Sequence, residues 1–398
     1  MAKDDFQIPF RQLVSILSDA VDLISPALNN HHKQVAYIAL QIGKALNLSS
    51  VRLTDLTMAA LLHDIGALSL RERVELLEFE EKDPYRHTIA GYVLLKDQDL
   101  LRGAGEIIKH HHLAWRNGLG REYKGEAVPR ESHILYLADR IAVSLRRDTA
   151  ILNQVEAIGK KIKEQTPRRF CPQFVEVFAA LAEREAFWLD LMSPDIEKRL
   201  TAGHRGPARQ LNLREAFEIT KVFARVIDFR SRFTSVHSSG VGAVAGALAE
   251  KMNWSEGDCL KMVMAGNLHD LGKLAIPNEI LAKPGKLTRD QYNIMKTHAY
   301  HSYYLLNRVD GLEDVNEYAS FHHERMDGSG YPFRMRGRDL KDGAKIMAVA
   351  DVLTAITEDR PYRKGMREGE ALELVERKGL DSKLDAEIVS LTREHFGE

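Results

Sequence analysis

Apolar residues recur every three or four positions through Leu13–Leu28, Val35–Leu46 and Thr54–Leu62, and the same period continues along most of the chain. That spacing lines one face of an α-helix with apolar side chains. Alternating apolar and polar positions, the mark of a half-buried strand, are scarce, so the pattern predicts an all-α protein. Capping residues agree. Ser255 followed by Asp258 predicts a capping box at the start of a helix leading to His269 and Asp270. Thr288 followed by Gln291 predicts another, opening a helix that carries His298.

The pattern occurs twice. His31, His63-Asp64, His87, His111-His112 and Asp139 match His237, His269-Asp270, His298, His322-His323 and Asp351. The first two pairs are 206 residues apart, the next two 211 and the last 212, so one insertion of five residues near IPNEILAKPGKLT explains nearly all the drift. Flanking acids repeat as well: Asp22 and Asp228 each stand nine residues before the first histidine of their half. A repeat of this length means two domains of one architecture rather than a solenoid. We expect a first domain at 1–192, a polar linker with Pro and Gly at 193–212, and a second domain at 213–398.

Composition narrows the class. In 398 residues, 44% are hydrophobic and 28% charged, enough for a core in each domain of a soluble globular protein. A formal net charge of −1 gives no support for binding bulk nucleic acid or a membrane surface. Two cysteines, Cys171 and Cys259, make no disulfide framework and fit a reducing cytoplasm. The opening MAKDDFQIPF has no apolar signal-peptide core, and no apolar run approaches bilayer length, so a cytoplasmic location is expected.

A single histidine usually sits on the surface or is satisfied in a core. Here ten of the sixteen fall at matched positions in the repeat, together with carboxylates. Burying such a set without a cation would leave costly unpartnered groups, whereas imidazoles and carboxylates together suit a pair of divalent metals. His32, His110, His133, His204, His301 and His395 fall outside the pattern and are read as structural, although His110-His111-His112 permits a slip of one residue.

The ordered motifs HDLGK, IPNEILAKPGKLT, FHHERMDGSGYP and ADV with EDRPYRK, over roughly 213–398, resemble the HD-GYP branch of the HD phosphohydrolase superfamily. The resemblance implies two tandem HD-type helical bundles. It also implies hydrolysis of a cyclic dinucleotide, chiefly cyclic di-GMP, at two divalent metals, iron or manganese. By the same resemblance, His237, His269, Asp270 and Asp351 hold one metal, Asp270 bridges, and His298, His322 and His323 hold the other. Lys273, a point charge beside the metals, is expected to hold a phosphate oxygen. The resemblance implies that Arg360 and Arg363 contact the nucleotide and that Tyr331 lies in the substrate loop, whose Gly328 and Gly330 shape the turn. Some relatives bind a third metal through a glutamate four residues before the first histidine. Phe233 and Ala27 stand there, so two metals are expected. Thr354 replaces an aspartate common in relatives.

The first half keeps the metal set, His31, His63, Asp64, His87, His111, His112 and Asp139, but loses the substrate set. Ala67 replaces Lys273, NGLGREY replaces DGSGYP, and RRDTAI replaces the arginine-bearing segment. It resembles a plain HD domain with its own metal site, regulatory or structural rather than catalytic. The expectation is therefore a phosphodiesterase that opens cyclic di-GMP to a linear dinucleotide or onward to mononucleotides. The alternatives are cyclic GMP-AMP as substrate, or a non-catalytic adaptor that binds cyclic dinucleotides. A homodimer or a signalling-protein partner is left open.

Overall fold

The computed structural model describes residues 6–23, 30–67, 85–202, 209–230, 237–359 and 364–396. The expectations placed on Arg360, Arg363, Ala27, Phe233 and His204 lie outside them.

The chain is all-α, as the period predicts. Helices α1 (Phe10–Asp22), α2 (His31–Ala45), α3 (Ser50–Leu62), α4 (Tyr85–Leu95), α5 (Arg102–Lys109) and α6 (Arg130–Val143) come first. Then follow α7 (Val155–Glu164), α8 (Pro172–Ala182), α9 (Glu185–Leu191) and α10 (Ile196–Ala202). After them come α11 (Leu213–Arg230), α12 (His237–Lys251), α13 (Glu256–Leu268), α14 (Asn278–Leu281) and α15 (Arg289–Leu306). The last are α16 (Glu313–Ser320), α17 (Asp342–Thr357), α18 (Glu368–Leu380) and α19 (Ala386–Phe396). Among the described residues the strands are two-residue ladders: β1 (Ile8–Pro9) pairs antiparallel with β4 (Gln210–Leu211), and β2 (Glu122–Tyr123) with β3 (Glu126–Ala127).

Two compact units form, and they divide the chain differently from the expected boundaries. One takes Ser25–Ala208; the other takes Arg209–Glu398 together with Met1–Ile24. The first helix thus belongs to the C-terminal unit. Ile8 faces Leu211 across the β1–β4 ladder, and α1 packs on α15 and on the 3-10 turn Leu271–Ala275. Part of the expected linker is also structured: α10 packs on α2, and β4 begins at Gln210.

Each unit repeats one core. In the N-terminal unit α2 packs on α3 and α6, and α5 on α3 and α4; in the C-terminal unit α12 packs on α13 and α17, and α16 on α13 and α15. The buried stripes are Val35, Ile38, Ala39 and Ile42 on α2, and Val241, Ala245, Leu248 and Ala249 on α12. Each buried valine, leucine or isoleucine contributes about 1.5–3 kcal/mol. Caps set where α3 and α13 begin: the Ser49 hydroxyl accepts from Arg52 N at 3.4 Å, and that of Ser255 from Asp258 N at 3.1 Å. Thr288 and Gln291 close a reciprocal capping box on α15. At Ser255 only half of the expected box forms, because the Asp258 carboxylate accepts from the serine hydroxyl at 2.7 Å. No described helix is long and apolar enough to cross a membrane.

Candidate metal centre

The C-terminal unit brings all seven expected residues together. His237 opens α12, His269 and Asp270 follow the last turn of α13, and His298 lies within α15. His322 and His323 follow α16, and Asp351 lies on α17. His269 Nε2 is 3.2 Å from Asp270 Oδ2, while His298 Nε2 is 3.5 Å from Asp270 Oδ1. The carboxylate therefore turns one oxygen toward each half of the cluster. Asp351 Oδ1 faces His237 Nε2 at 3.4 Å. Two donor groups result, His237 with His269 and Asp270, and His298 with His322 and His323.

Hydrogen bonds fix which nitrogen each ring presents. The Nδ1–H groups of His269, His298 and His322 donate to the carbonyls three residues earlier, of Gly266, Met295 and Ala319, at 2.8, 2.6 and 2.6 Å. With Nδ1 protonated, each Nε2 is a bare lone pair. His298 Nε2 and His322 Nε2 lie 3.4 Å apart, so two lone pairs face each other. Two imidazole nitrogens each about 2.1 Å from one ion at a tetrahedral angle would be about 3.4 Å apart. Asp270 Oδ1 is buried with no hydrogen-bond partner. These observations fit a cation. Burial pushes His298 down to about 4 and His322 to about 3, so both rings are neutral and able to ligate. Burial also works against the charged form of His237, but hydrogen bonds with Asp351 and Glu358 outweigh it and raise that group to about 9.

The N-terminal unit builds the same arrangement. His31 Nε2 is 3.3 Å from Asp139 Oδ1, His63 Nε2 3.4 Å from Asp64 Oδ2, and His87 Nε2 3.5 Å from Asp64 Oδ1. His111 and His112 present Nε2 to His87 Nε2 at 3.4 and 3.1 Å. That settles the register, since His110 packs against Tyr123 instead. The donor groups are His31, His63 and Asp64, and Asp64 with His87, His111 and His112. His63 Nε2 and Asp64 Oδ1 are buried without hydrogen-bond partners, so this centre fits a cation too.

The centres differ in three respects. Every donor of the N-terminal pair is buried, whereas the His323 side chain keeps 20% of its surface exposed. Lys273, in the 3-10 turn after α13, places its ammonium on Asp270. Tyr331 leans over the open edge, its ring 4.8 Å from that of His323. Glu324 holds this loop by accepting from Phe333 N at 2.7 Å and Met335 N at 3.0 Å. Gly330 is required there, since a Cβ would lie 2.4 Å from Glu324 Cα.

Several supporting residues were not singled out from sequence. Ser302 Oγ accepts from Gly272 N at 2.9 Å and donates to the His269 carbonyl at 2.8 Å. Gly272 and Gly66, each three residues after the histidine of an HD pair, permit close packing. A Cβ would lie 2.0 Å from the His298 carbonyl in one case and 2.1 Å from that of His87 in the other. Asp228, noted only as a flanking repeat, accepts from Ser238 N at 3.1 Å and its hydroxyl at 2.7 Å, tying down the start of α12. Arg140 donates to Asp139 Oδ2 from Nη2 at 2.6 Å and Nε at 3.1 Å, and Glu358 accepts from His237 Nδ1 at 2.9 Å. Of the histidines read as structural, His32 is buried with its ring 4.9 Å from that of His63, and His133 donates to the Gly120 carbonyl at 3.0 Å.

Comparison with known proteins agrees with this architecture. Models of the HD domain match residues 221–388 and 29–144. The 3'3'-cGAMP-specific phosphodiesterase 1 of Vibrio cholerae is 28% identical over 96% of this chain and 91% of its own. The cyclic di-GMP phosphodiesterase response regulator RpfG of Xanthomonas campestris is 39% identical, but over 42% of this chain and 44% of its own. The crystal structure of a cyclic GMP-AMP-specific phosphodiesterase of V. cholerae, V-cGAP3, shares the fold over 98% of both chains, with a TM-score of 0.68 at 24% identity. The chain thus belongs to the HD-domain superfamily, with a plain HD domain followed by one of the HD-GYP type.

Proposed function

We propose that this chain is a metal-dependent phosphodiesterase that opens 3'3'-cGAMP to a linear dinucleotide, with the chemistry in the C-terminal unit. The observation that carries this reading is the open donor set: seven convergent ligands, with Lys273 on Asp270 and the His323 edge exposed. Catalytic metal sites keep a position for substrate, whereas structural ones are closed. The N-terminal centre is of the closed kind and is assigned a metal-holding, regulatory role.

His237, His269, Asp270 and Asp351 would hold one divalent ion, and His298, His322 and His323 the other, with Asp270 between them. Iron and manganese both suit such nitrogen and oxygen donors. Bound there, the pair supplies Lewis acidity toward a phosphoryl oxygen and lowers the pKa of water. The chain's residues do the rest. Lys273 is free enough, at 27% exposed, to move from Asp270 onto a phosphate oxygen as charge accumulates on it. Tyr331 offers a flat face to a ribose or base at the open edge. Arg360 and Arg363 remain the expected nucleotide contacts. Water adds across one P–O ester bond, and its proton ends on the departing ribose oxygen.

The preference for cyclic GMP-AMP over cyclic di-GMP, which reverses the expectation from motifs, rests on extent. Similarity across both units is with the 3'3'-cGAMP-specific enzyme, while the cyclic di-GMP relative matches less than half of the chain. Thr354, buried with its hydroxyl unpartnered, also departs from the aspartate of many HD-GYP relatives. The test is an activity panel of the purified chain, loaded separately with iron and manganese, on 3'3'-cGAMP, cyclic di-GMP and cyclic di-AMP. The fastest turnover is expected on 3'3'-cGAMP. Absence of turnover on all three would favour an adaptor.

A further inference from the structure

His237 differs from its neighbours in how its ring is held. His269, His298 and His322 each follow a helical turn, which supplies the carbonyl that fixes Nδ1. His237 is the first described residue of α12, and its Nδ1 is held by a side chain instead. Glu358, 121 residues later, supplies the acceptor, its Oε2 2.9 Å from Nδ1. The opposite nitrogen, Nε2, then faces Asp351 Oδ1 at 3.4 Å. Both side chains are largely enclosed, at 3% and 18% exposed.

We infer that Glu358 is a positioning residue of the C-terminal centre, which orients His237 and strengthens Nε2 as a donor toward a divalent cation. A carboxylate behind a ligating imidazole fixes its tautomer and raises its basicity more than a neutral carbonyl does. The N-terminal unit lacks the device. His31 also opens its helix, but the position matching Glu358 is Arg146, which pairs with Asp148 at the surface. There the buried partner is of opposite sign: Arg140 grips Asp139, where the C-terminal unit has Val352 beside Asp351. The C-terminal centre thus has an anion behind its first histidine that the N-terminal centre lacks at the matching position.

The inference rests on the metal-centre reading, and one titration separates the two. The full-length chain, stripped with EDTA, is titrated with Mn(II), and free Mn(II) is followed by electron paramagnetic resonance. The wild type, Glu358→Gln and Glu358→Ala are compared, with thermal melts of the stripped proteins. Glu358→Ala should weaken the C-terminal site about ten- to hundredfold at unchanged stoichiometry. Glu358→Gln, which keeps an acceptor but not the charge, should fall between, and the stripped melts should coincide. Wild-type affinity in Glu358→Ala overturns the inference while leaving the centre standing. Loss of one metal equivalent in Glu358→Gln overturns it too, by making Glu358 a ligand. A fall in the stripped melts that matches the loss of affinity overturns it in favour of a packing role. No Mn(II) binding by the wild type removes the metal-centre reading and the inference together.

Discussion

Lys273 lays its ammonium on the carboxylate of Asp270, and the backbone of the same 3-10 turn joins them again, Lys273 N donating to the Asp270 carbonyl at 2.8 Å. The lysine therefore neutralises a buried anion in the metal-free chain and is positioned beside any ion that takes its place. Lys273→Ala should keep its metal and lose activity, with kcat/KM down about 10²–10³-fold, the scale of losing one donor to a developing oxyanion. Metal analysis beside kinetics checks this. Loss of metal and activity together would mean that lysine supports the centre rather than the substrate.

Asp270→Ala should lose both. Its two oxygens face different halves of the cluster, at 3.2 Å from His269 and 3.5 Å from His298. Turnover should fall by at least about a hundredfold, and bound metal per chain should drop. A folded variant with near-wild-type hydrolysis would remove the bridging role.

A pair of double variants tests the division of labour. His269→Ala/Asp270→Ala should be inactive on cyclic dinucleotides, whereas His63→Ala/Asp64→Ala should keep measurable turnover. If the second is dead yet folded, as judged by circular dichroism, the N-terminal centre shares the chemistry.

Arg140→Leu should destabilise the N-terminal unit by about 3–5 kcal/mol, because it leaves Asp139 buried without its guanidinium. The pair is 1% and 2% exposed, so solvent cannot compensate. Chemical denaturation followed by circular dichroism measures the loss. A change below about 1 kcal/mol would show that Asp139 is satisfied without Arg140.

Gly272→Ala should cost at least about 1–3 kcal/mol, the scale of overpacking a filled core. The added methyl meets backbone, the His298 carbonyl, and not the flexible end of a side chain. Reduced metal content should accompany the lower melting temperature, because the displaced turn carries Lys273 and the displaced helix carries His298.

The donor sets were legible because a repeat exposes them: a spacing that recurs at 206 and 211 residues marks positions that composition cannot. The helices were legible from period, and the Thr288 box from its capping residues. Other features were hidden for physical reasons. An amphipathic stripe shows that α1 is buried but not against what, so its place in the C-terminal unit could not be read. Asp258 matched the spacing of a box, yet its carboxylate takes the serine hydroxyl instead of reaching back to the backbone. Glu358 stands in EDRPYRK, where the motif points to the arginines, and its partner lies 121 residues away. Ser302 and Gly272 act through backbone contacts that leave no mark on residue type.

The ladder between Ile8 and Leu211 has a consequence for biosynthesis. Helix α1 is translated before the N-terminal unit, but the strand β4 and the turn that pack with its end of the chain follow about 200–250 residues later, ~10–50 s at ordinary elongation rates. In that interval the whole N-terminal unit can fold, while α1 waits with Leu13, Leu17 and Val21 exposed to solvent or to a chaperone. Translation thus completes the intervening unit before the one that flanks it can close.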